Sequence, residues 1–229
     1  MIRVEDRETV RVVTLDRPKK RNALTPEALV ELRAAVTEAD QSVVHLTGAG
    51  GAFSAGADFD SVRAAAEADD AEGFIRRGQE TMTAIEDAES VVVAGVDGPA
   101  RGGGVELALA CDLRAATPDA TFAETGVKLG LFGAWGGTHR LPAVVGLGDA
   151  MDLSLSGRTL DAEEAHRVGL VQRVVADPLA VSEELATNDG AALRTLKRRL
   201  RAHERVEEQE RAEREAFADL LASYAERLD

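Results

Sequence analysis

Apolar and polar positions alternate from Thr9 to Leu15, and Val43 to Thr47 is a β-branched run, so both segments predict strands. Between them, Thr25 and Pro26 precede Leu29, Leu32 and Val36 at helical spacing, which predicts a helix capped by Thr25. Val91 to Val96 predicts a buried strand that runs into the Gly-rich loop Gly98 to Gly104, and Val105 to Cys111 predicts a helix after it. The order strand, loop, helix is thus repeated. Asp58 to Glu89 is polar, Ala-rich and helical in pattern, with nothing of a flexible interdomain linker. Further on, Thr121 to Glu124 predicts a short strand, Gly136-Gly137-Thr138 opens a helix, and Asp161 with Glu164 three residues later marks another helix start. Asp189 to Asp229 predicts almost all helix, dense in charge.

Length changes little in this picture: 229 residues suit one large domain, or one domain with a helical appendage. The start, MIRVEDRETVRVVTL, shows no basic stretch followed by an apolar one, and no apolar run reaches bilayer length, so a cytoplasmic protein is expected. The single cysteine, Cys111, lies in an apolar run and is expected to be a buried thiol. Charge says more. Against 27 basic residues stand 41 acidic ones, a formal net charge of -14, which repels nucleic acid overall. Lysine occurs only at positions 19, 20, 128 and 197, and this balance suits either an ordinary acidic protein or a salt-adapted, halophilic one that needs its self-repulsion screened.

Several chemistries are tested by the Gly-rich stretches. Gly48-Ala49-Gly50-Gly51 follows a strand, as a dinucleotide-binding loop does, but Phe53 stands where the third glycine belongs. No Gly-Lys-Ser/Thr follows either loop, so a P-loop is excluded as a motif. Ala52-Phe53-Ser54-Ala55-Gly56 resembles a serine nucleophile elbow with one glycine missing, with His139, His166 and His203 downstream as candidate bases.

Residues Thr47 to Asp58 (TGAGGAFSAGAD), taken with Asp97 to Leu107 (DGPARGGGVEL), strongly resemble the crotonase (enoyl-CoA hydratase/isomerase) superfamily. Weaker matches fall in the family's order: Asp16 to Leu24, Gly136 to Leu141, and Ala162 to Val171, so that residues 2 to 175 are covered well. The resemblance implies an α/β fold: a spiral of strand-strand-helix (ββα) repeats over residues 1–175, with a C-terminal helical region over 176–229. It also implies assembly as a homotrimer or dimer of trimers, and an acyl-CoA thioester as substrate, with CoA part of that substrate rather than a separate cofactor. Ala57 and Gly103 become the backbone N–H donors of an oxyanion hole. Such a pair stabilises the charge that gathers on a thioester carbonyl oxygen as an enolate forms. Lys19, Lys20 and Arg21 fall where the family contacts the CoA phosphates or nucleotide, and a local basic patch in so acidic a chain suits a polyanion. Ala55, Gly56 and Asp58, around Ala57, are further CoA-contact candidates, and Arg101 is a weaker one.

Hydratases of this superfamily use two glutamates, and Glu106 matches the first. A gapless reading puts Gly126 at the second, so that acid/base is expected to be missing. Glu124 lies one strand period earlier, where it either shares the face of position 126 and partly substitutes, or faces solvent or caps the strand. The four histidines match no catalytic position, and no metal site is supported. Phe217 and Tyr224 resemble the aromatic end of the family, Leu220 stands where many members carry a CoA-contacting lysine, and Asp177 to Asn188 is short for a linker to the last helices. Glu106 is then the one secure acid/base, which suits double-bond isomerisation more readily than hydration. Decarboxylation or thioester hydrolysis on the same scaffold, or a non-catalytic CoA-binding role, are the alternatives.

Overall fold

The computed structural model describes residues 1–202 and 205–226. Along the chain run β1 (Ile2–Asp6), β2 (Val10–Leu15), α1 (Pro26–Thr37), β3 (Val43–Gly48), α2 (Phe59–Glu67), α3 (Ala71–Glu86), β4 (Val91–Val96), β5 (Pro99–Arg101), α4 (Gly103–Ala110), β6 (Leu113–Ala116) and β7 (Thr121–Ala123). They are followed by α5 (Gly137–Val145), α6 (Leu147–Ser156), β8 (Leu160–Asp161), α7 (Ala162–Arg167), β9 (Arg173–Val174), α8 (Pro178–Ala186), α9 (Gly190–Arg201) and α10 (Val206–Glu226). One sheet has the order β1-β2-β3-β4-β6-β9, parallel except for the β1–β2 hairpin; a second has the order β5-β7-β8. The chain places β4 in the first sheet, β5 in the second and then α4 outside, and it repeats this with β6, β7 and α5. A bridge between Ser54 and Ala100 extends the second sheet into the first repeat. This is a spiral of ββα turns in an α/β fold.

Burial explains the order. Every residue of β4 is buried, as expected of a parallel strand covered on both faces. One face meets α1, α3 and α4 through Leu29, Leu32, Met82, Ile85 and Leu107. On the other face, Val43, Val91 and Val93 pack with Val181 and Ala186 of α8 and with Leu193 of α9. Thr25 caps α1 as its position predicts, its hydroxyl accepting from Ala28 N at 3.2 Å, and Asp161 caps α7 by accepting from Glu164 N at 2.8 Å.

Three expectations are corrected. The loop Gly98 to Gly104 contains β5, whose three residues are too few to show a period. The segment expected as a short linker, residues 177–188, is mostly α8, with the Asp177 side chain accepting from Leu179 N and Pro178 in the first turn. And β7 stops at Ala123, so Glu124 and Gly126 belong to a 3-10 turn over Thr125–Leu129 and its cap rather than to a strand. The C-terminal stretch is almost all helix, as expected, in two pieces, α9 ending at Arg201 and α10 starting at Val206. Among the described residues, no helix is long and apolar enough to cross a membrane.

Candidate active site

The site is built on two loops that reach each other only because they carry glycine. Asn22 anchors the first: its amide donates to Ala49 O at 2.9 Å and Ala52 O at 2.7 Å, and its side-chain oxygen accepts from Arg17 N. Ser54 Oγ donates to Asn22 O at 2.9 Å and accepts from Gly56 N at 3.1 Å. Bonds from Leu24 N to Gly56 O and from Asp58 N to Leu24 O then tie down both neighbours of Ala57. Gly56 has φ +83°, and a Cβ there would lie 2.8 Å from Gly103 N and 2.6 Å from Arg101 O, so only glycine lets the loops meet. A Cβ on Gly103 would in turn stand 3.3 Å from Ala57 N. The Ala57 and Gly103 N–H groups are therefore close neighbours. Among the described residues, neither donates to a protein acceptor. Gly103 opens α4, where first-turn N–H groups have no partner within the helix and the helix dipole favours an anion.

Glu106 projects from the same first turn and is 2% exposed. Its Oε1 accepts from Trp135 N at 2.7 Å and Gly137 N at 2.8 Å, and among the described residues Oε2 accepts no hydrogen bond. Burial raises its pKa above the usual carboxylate value, while the Gly137 and Trp135 amides and the Arg140 charge act in the opposite direction. Gly133 and Gly137 pack so closely on the carboxyl that a Cβ at either would come within about 3 Å of it. Arg140 donates to Trp135 O and pairs with Glu86 at 2.6 Å, so residues 134–137, which hold Glu106, are themselves held.

Ala57, Gly103 and Glu106 face one cavity of about 300 Å³ whose other walls are almost wholly apolar, with Val62, Phe74 and Trp135 among them. Phe74 and Trp135 meet at 5.9 Å between ring centroids. The indole occupies space above Gly78, where a Cβ would lie 2.1 Å from the ring.

The remaining candidates divide. Ala55 lines the cavity, and its N–H donates to Arg21 O at 2.8 Å, which links the basic turn to the loop that carries Ala57. Lys19, Lys20 and Arg21 are exposed on that turn, with Lys20 Nζ 3.4 Å from Asp60. Asp58 has a different job from the one expected: it is 4% exposed, pairs with Arg17, and caps α2 by accepting from Asp60 N and Ser61 N. Arg101 is occupied by Thr121, donating to both its carbonyl and its hydroxyl. Ser54 is fully buried and committed to its own loop, which removes the nucleophile-elbow alternative. His45 shares a hydrogen bond with Ser182 behind the sheet, its pKa pushed down by burial to about 4, and His166 bonds Val171 O. The Cys111 thiol is buried and pushed up to about 12. His203 and the Tyr224 side chain lie outside the described residues. Glu124, expected to share the face of position 126 or else to face solvent or cap the strand, does not face solvent: it is buried at 8% exposure. Its Oε1 accepts no hydrogen bond among the described residues. Sequence reasoning missed Asn22, Trp135 and Arg140.

The sequence matches the enoyl-CoA hydratase/isomerase family over residues 5–229. The chain belongs to that family. It is 41% identical over 177 residues to a crotonyl-CoA hydratase of Syntrophomonas wolfei, spanning 75% of this chain and 68% of that one. An enoyl-CoA hydratase structure from Bacillus anthracis superposes with a TM-score of 0.89 at 33% identity, covering 96% of this chain and 91% of that one. A Thermobifida fusca protein solved in complex with acetoacetyl-CoA gives a TM-score of 0.85 at 32% identity, with 97% and 95% covered. The Ala57 and Gly103 N–H groups and Glu106 lie on the two Gly-rich motifs that resemble the superfamily.

Proposed function

We propose that this protein is an acyl-CoA enzyme that converts enoyl-CoA thioesters through an enolate, by double-bond isomerisation or hydration. The observation that carries the reading is the pair of uncommitted N–H groups, Ala57 and Gly103, facing the same apolar cavity as the free Oε2 of Glu106. A thioester oxygen held by both donors gains charge as the enolate forms. The donors, fixed beforehand by Asn22 and Ser54, stabilise that charge without reorganising. Glu106 moves the proton: a carboxylate in a dry site is a stronger base than one in water, and its bound Oε1 keeps Oε2 aimed. Lys19, Lys20 and Arg21 are the proposed contacts for the CoA phosphates, with Ala55 and Gly56 lining the approach.

Self-assembly as a homotrimer or dimer of trimers belongs to the same proposal. Leu147, Met151 and Leu155 form an exposed stripe along one face of α6, and Phe217 and Leu221 are exposed on α10, both unusual for a surface that stays wet. A cytoplasmic location is part of the reading too, and the free, buried Cys111 is compatible with it.

The test is a mass-spectrometric assay with crotonyl-CoA and with a 3-enoyl-CoA. Glu106→Gln keeps an oxygen for the Trp135 and Gly137 amides, so it should fold normally and lose about 100-fold or more in turnover. Gly103→Pro deletes a donor worth about 2.7–4 kcal/mol of transition-state stabilisation. Its ring also meets Trp135, whose indole lies 2.6 Å from a Cβ at that position. A wild type inactive on both substrates, or a fully active Glu106→Gln, would refute the proposal.

A further inference from the structure

Across a shared wall from the main cavity lies a partly open recess of about 50 Å³, lined by the buried Glu124, by Gly126, Gly133 and Gly137, and by the exposed Thr138 and Ser154 among others. Gly126, Phe132 and Gly133 line both spaces, so the shared wall lacks side chains at its two glycines and carries one at Phe132. A Cβ on Gly133 would lie 3.1 Å from Glu106 Oε2, the oxygen left free for substrate. Glu124 borders this recess as a buried carboxyl whose Oε1 has no partner among the described residues. A buried acceptor left unmatched costs free energy unless water or function accounts for it. The recess exceeds the roughly 10–15 Å³ that one water needs, and Glu124 with the two hydroxyl residues Thr138 and Ser154 supplies polar partners.

We propose that Glu124 is the second proton-handling group of the site, passing protons between Glu106 and the reacting carbon through water held in this recess. This rests on the enolate reading above. Burial in the first place and the neighbouring Glu106 charge in the second push its pKa up to about 8, so near neutral pH it is the acid of the pair while Glu106 is the base. In isomerisation, Glu106 Oε2 takes the C2 proton of a 3-enoyl thioester, and the C–H electron pair enters a dienolate whose oxygen Ala57 and Gly103 hold. Glu124 gives its proton through one water to C4, and the double bond settles between C2 and C3. Glu106 then returns its proton through the same water to Glu124, which restores both groups. Gly126 thus vacates the usual position while the proton function is kept two residues earlier and from the other side of the wall.

The experiment compares wild type, Glu124→Gln and Glu124→Asp in two ways. Infrared difference spectra of the resting proteins near neutral pH should show a protonated carboxyl band that Glu124→Gln lacks. Isomerisation of trans-3-hexenoyl-CoA in D2O should place solvent deuterium at C4 with the wild type. Glu124→Gln should lower kcat about 100-fold at unchanged KM and lose that label, because Glu106 alone returns the substrate's own proton. Partial rescue is expected from Glu124→Asp. The inference is overturned if Glu124→Gln keeps both kcat and label, or if no carboxyl band disappears. An inactive wild type would overturn the enolate reading together with it, a result distinct from an active Glu124→Gln.

Discussion

At the scale of single residues, the site separates two carboxyls by environment. Glu106 is given backbone donors and Arg140, whereas Glu124 is given neither and faces the Glu106 charge. That difference has a stability consequence whose sign can be worked out. Burial, and after it the Glu106 charge, pushes the Glu124 pKa from an ordinary 4.5 up to about 8, so between those values the folded chain keeps a proton that the unfolded chain has released. Stability therefore falls as pH rises through this window, at up to roughly 1.4 kcal/mol per pH unit, and levels off above it. Glu124→Gln removes the slope. Denaturant titrations at pH 6 and pH 8 should show the wild type losing stability relative to this variant; parallel losses in both would mean that Glu124 does not carry the proton.

At the scale of elements, legibility followed local pattern. β2, β3, β4 and α1 carry their period or cap within a few residues, and were readable for that reason. β5 is three residues of Pro-Ala-Arg between glycines, and its strand character exists only through pairing with β7. The catalytic motifs were recognisable as a resemblance, but the groups that hold them were not. Trp135 N reaches Glu106 across 29 positions, Asn22 reaches Ala52 across 30, and Arg140 meets Glu86 across 54. No window of sequence contains such contacts. Arg140 is the clearest case: it joins α5 to Glu86 at the end of α3, and Glu86 also pairs with Arg201 of α9 at 2.6 Å, which continues to Asp112 and Lys197. Arg140→Met should cost about 1–3 kcal/mol, because it removes charged hydrogen bonds from a part-buried pair while Arg201 stays on Glu86, and should also lower kcat by loosening the Trp135 and Gly137 amides around Glu106. The decisive reading is the pH profile. With Arg140 gone the apparent pKa of Glu106 should rise, shifting the limb of kcat that depends on its carboxylate toward higher pH; a Tm loss with an unmoved profile would restrict Arg140 to holding the fold.

At the scale of the whole molecule, two opposing salt effects must be weighed. Salt weakens attractive surface pairs such as Arg7–Glu183 and Arg173–Glu184, but these are exposed, and exposed pairs contribute about 0–1 kcal/mol each. It also weakens the repulsion among charges that sum to -14, a term that grows with compactness and with assembly of several acidic copies. The more enclosed pairs, Lys197–Asp112 and Arg140–Glu86, each have a partner about 93% buried and are screened less. Repulsion is thus the larger loss to screening. As the Debye length shrinks from about 10 Å at 0.1 M salt to about 3 Å at 1 M, the folded and assembled state should gain. The apolar stripe on α6 pushes in the same direction, since potassium chloride removes the charge barrier to bringing Leu147, Met151 and Leu155 of separate copies together. The expected outcome is a Tm that climbs toward molar KCl, with sedimentation moving to a larger species over the same range. A flat or falling Tm would remove salt adaptation as the reason for the acidic surface, and a monomer at every salt concentration would remove the homotrimer.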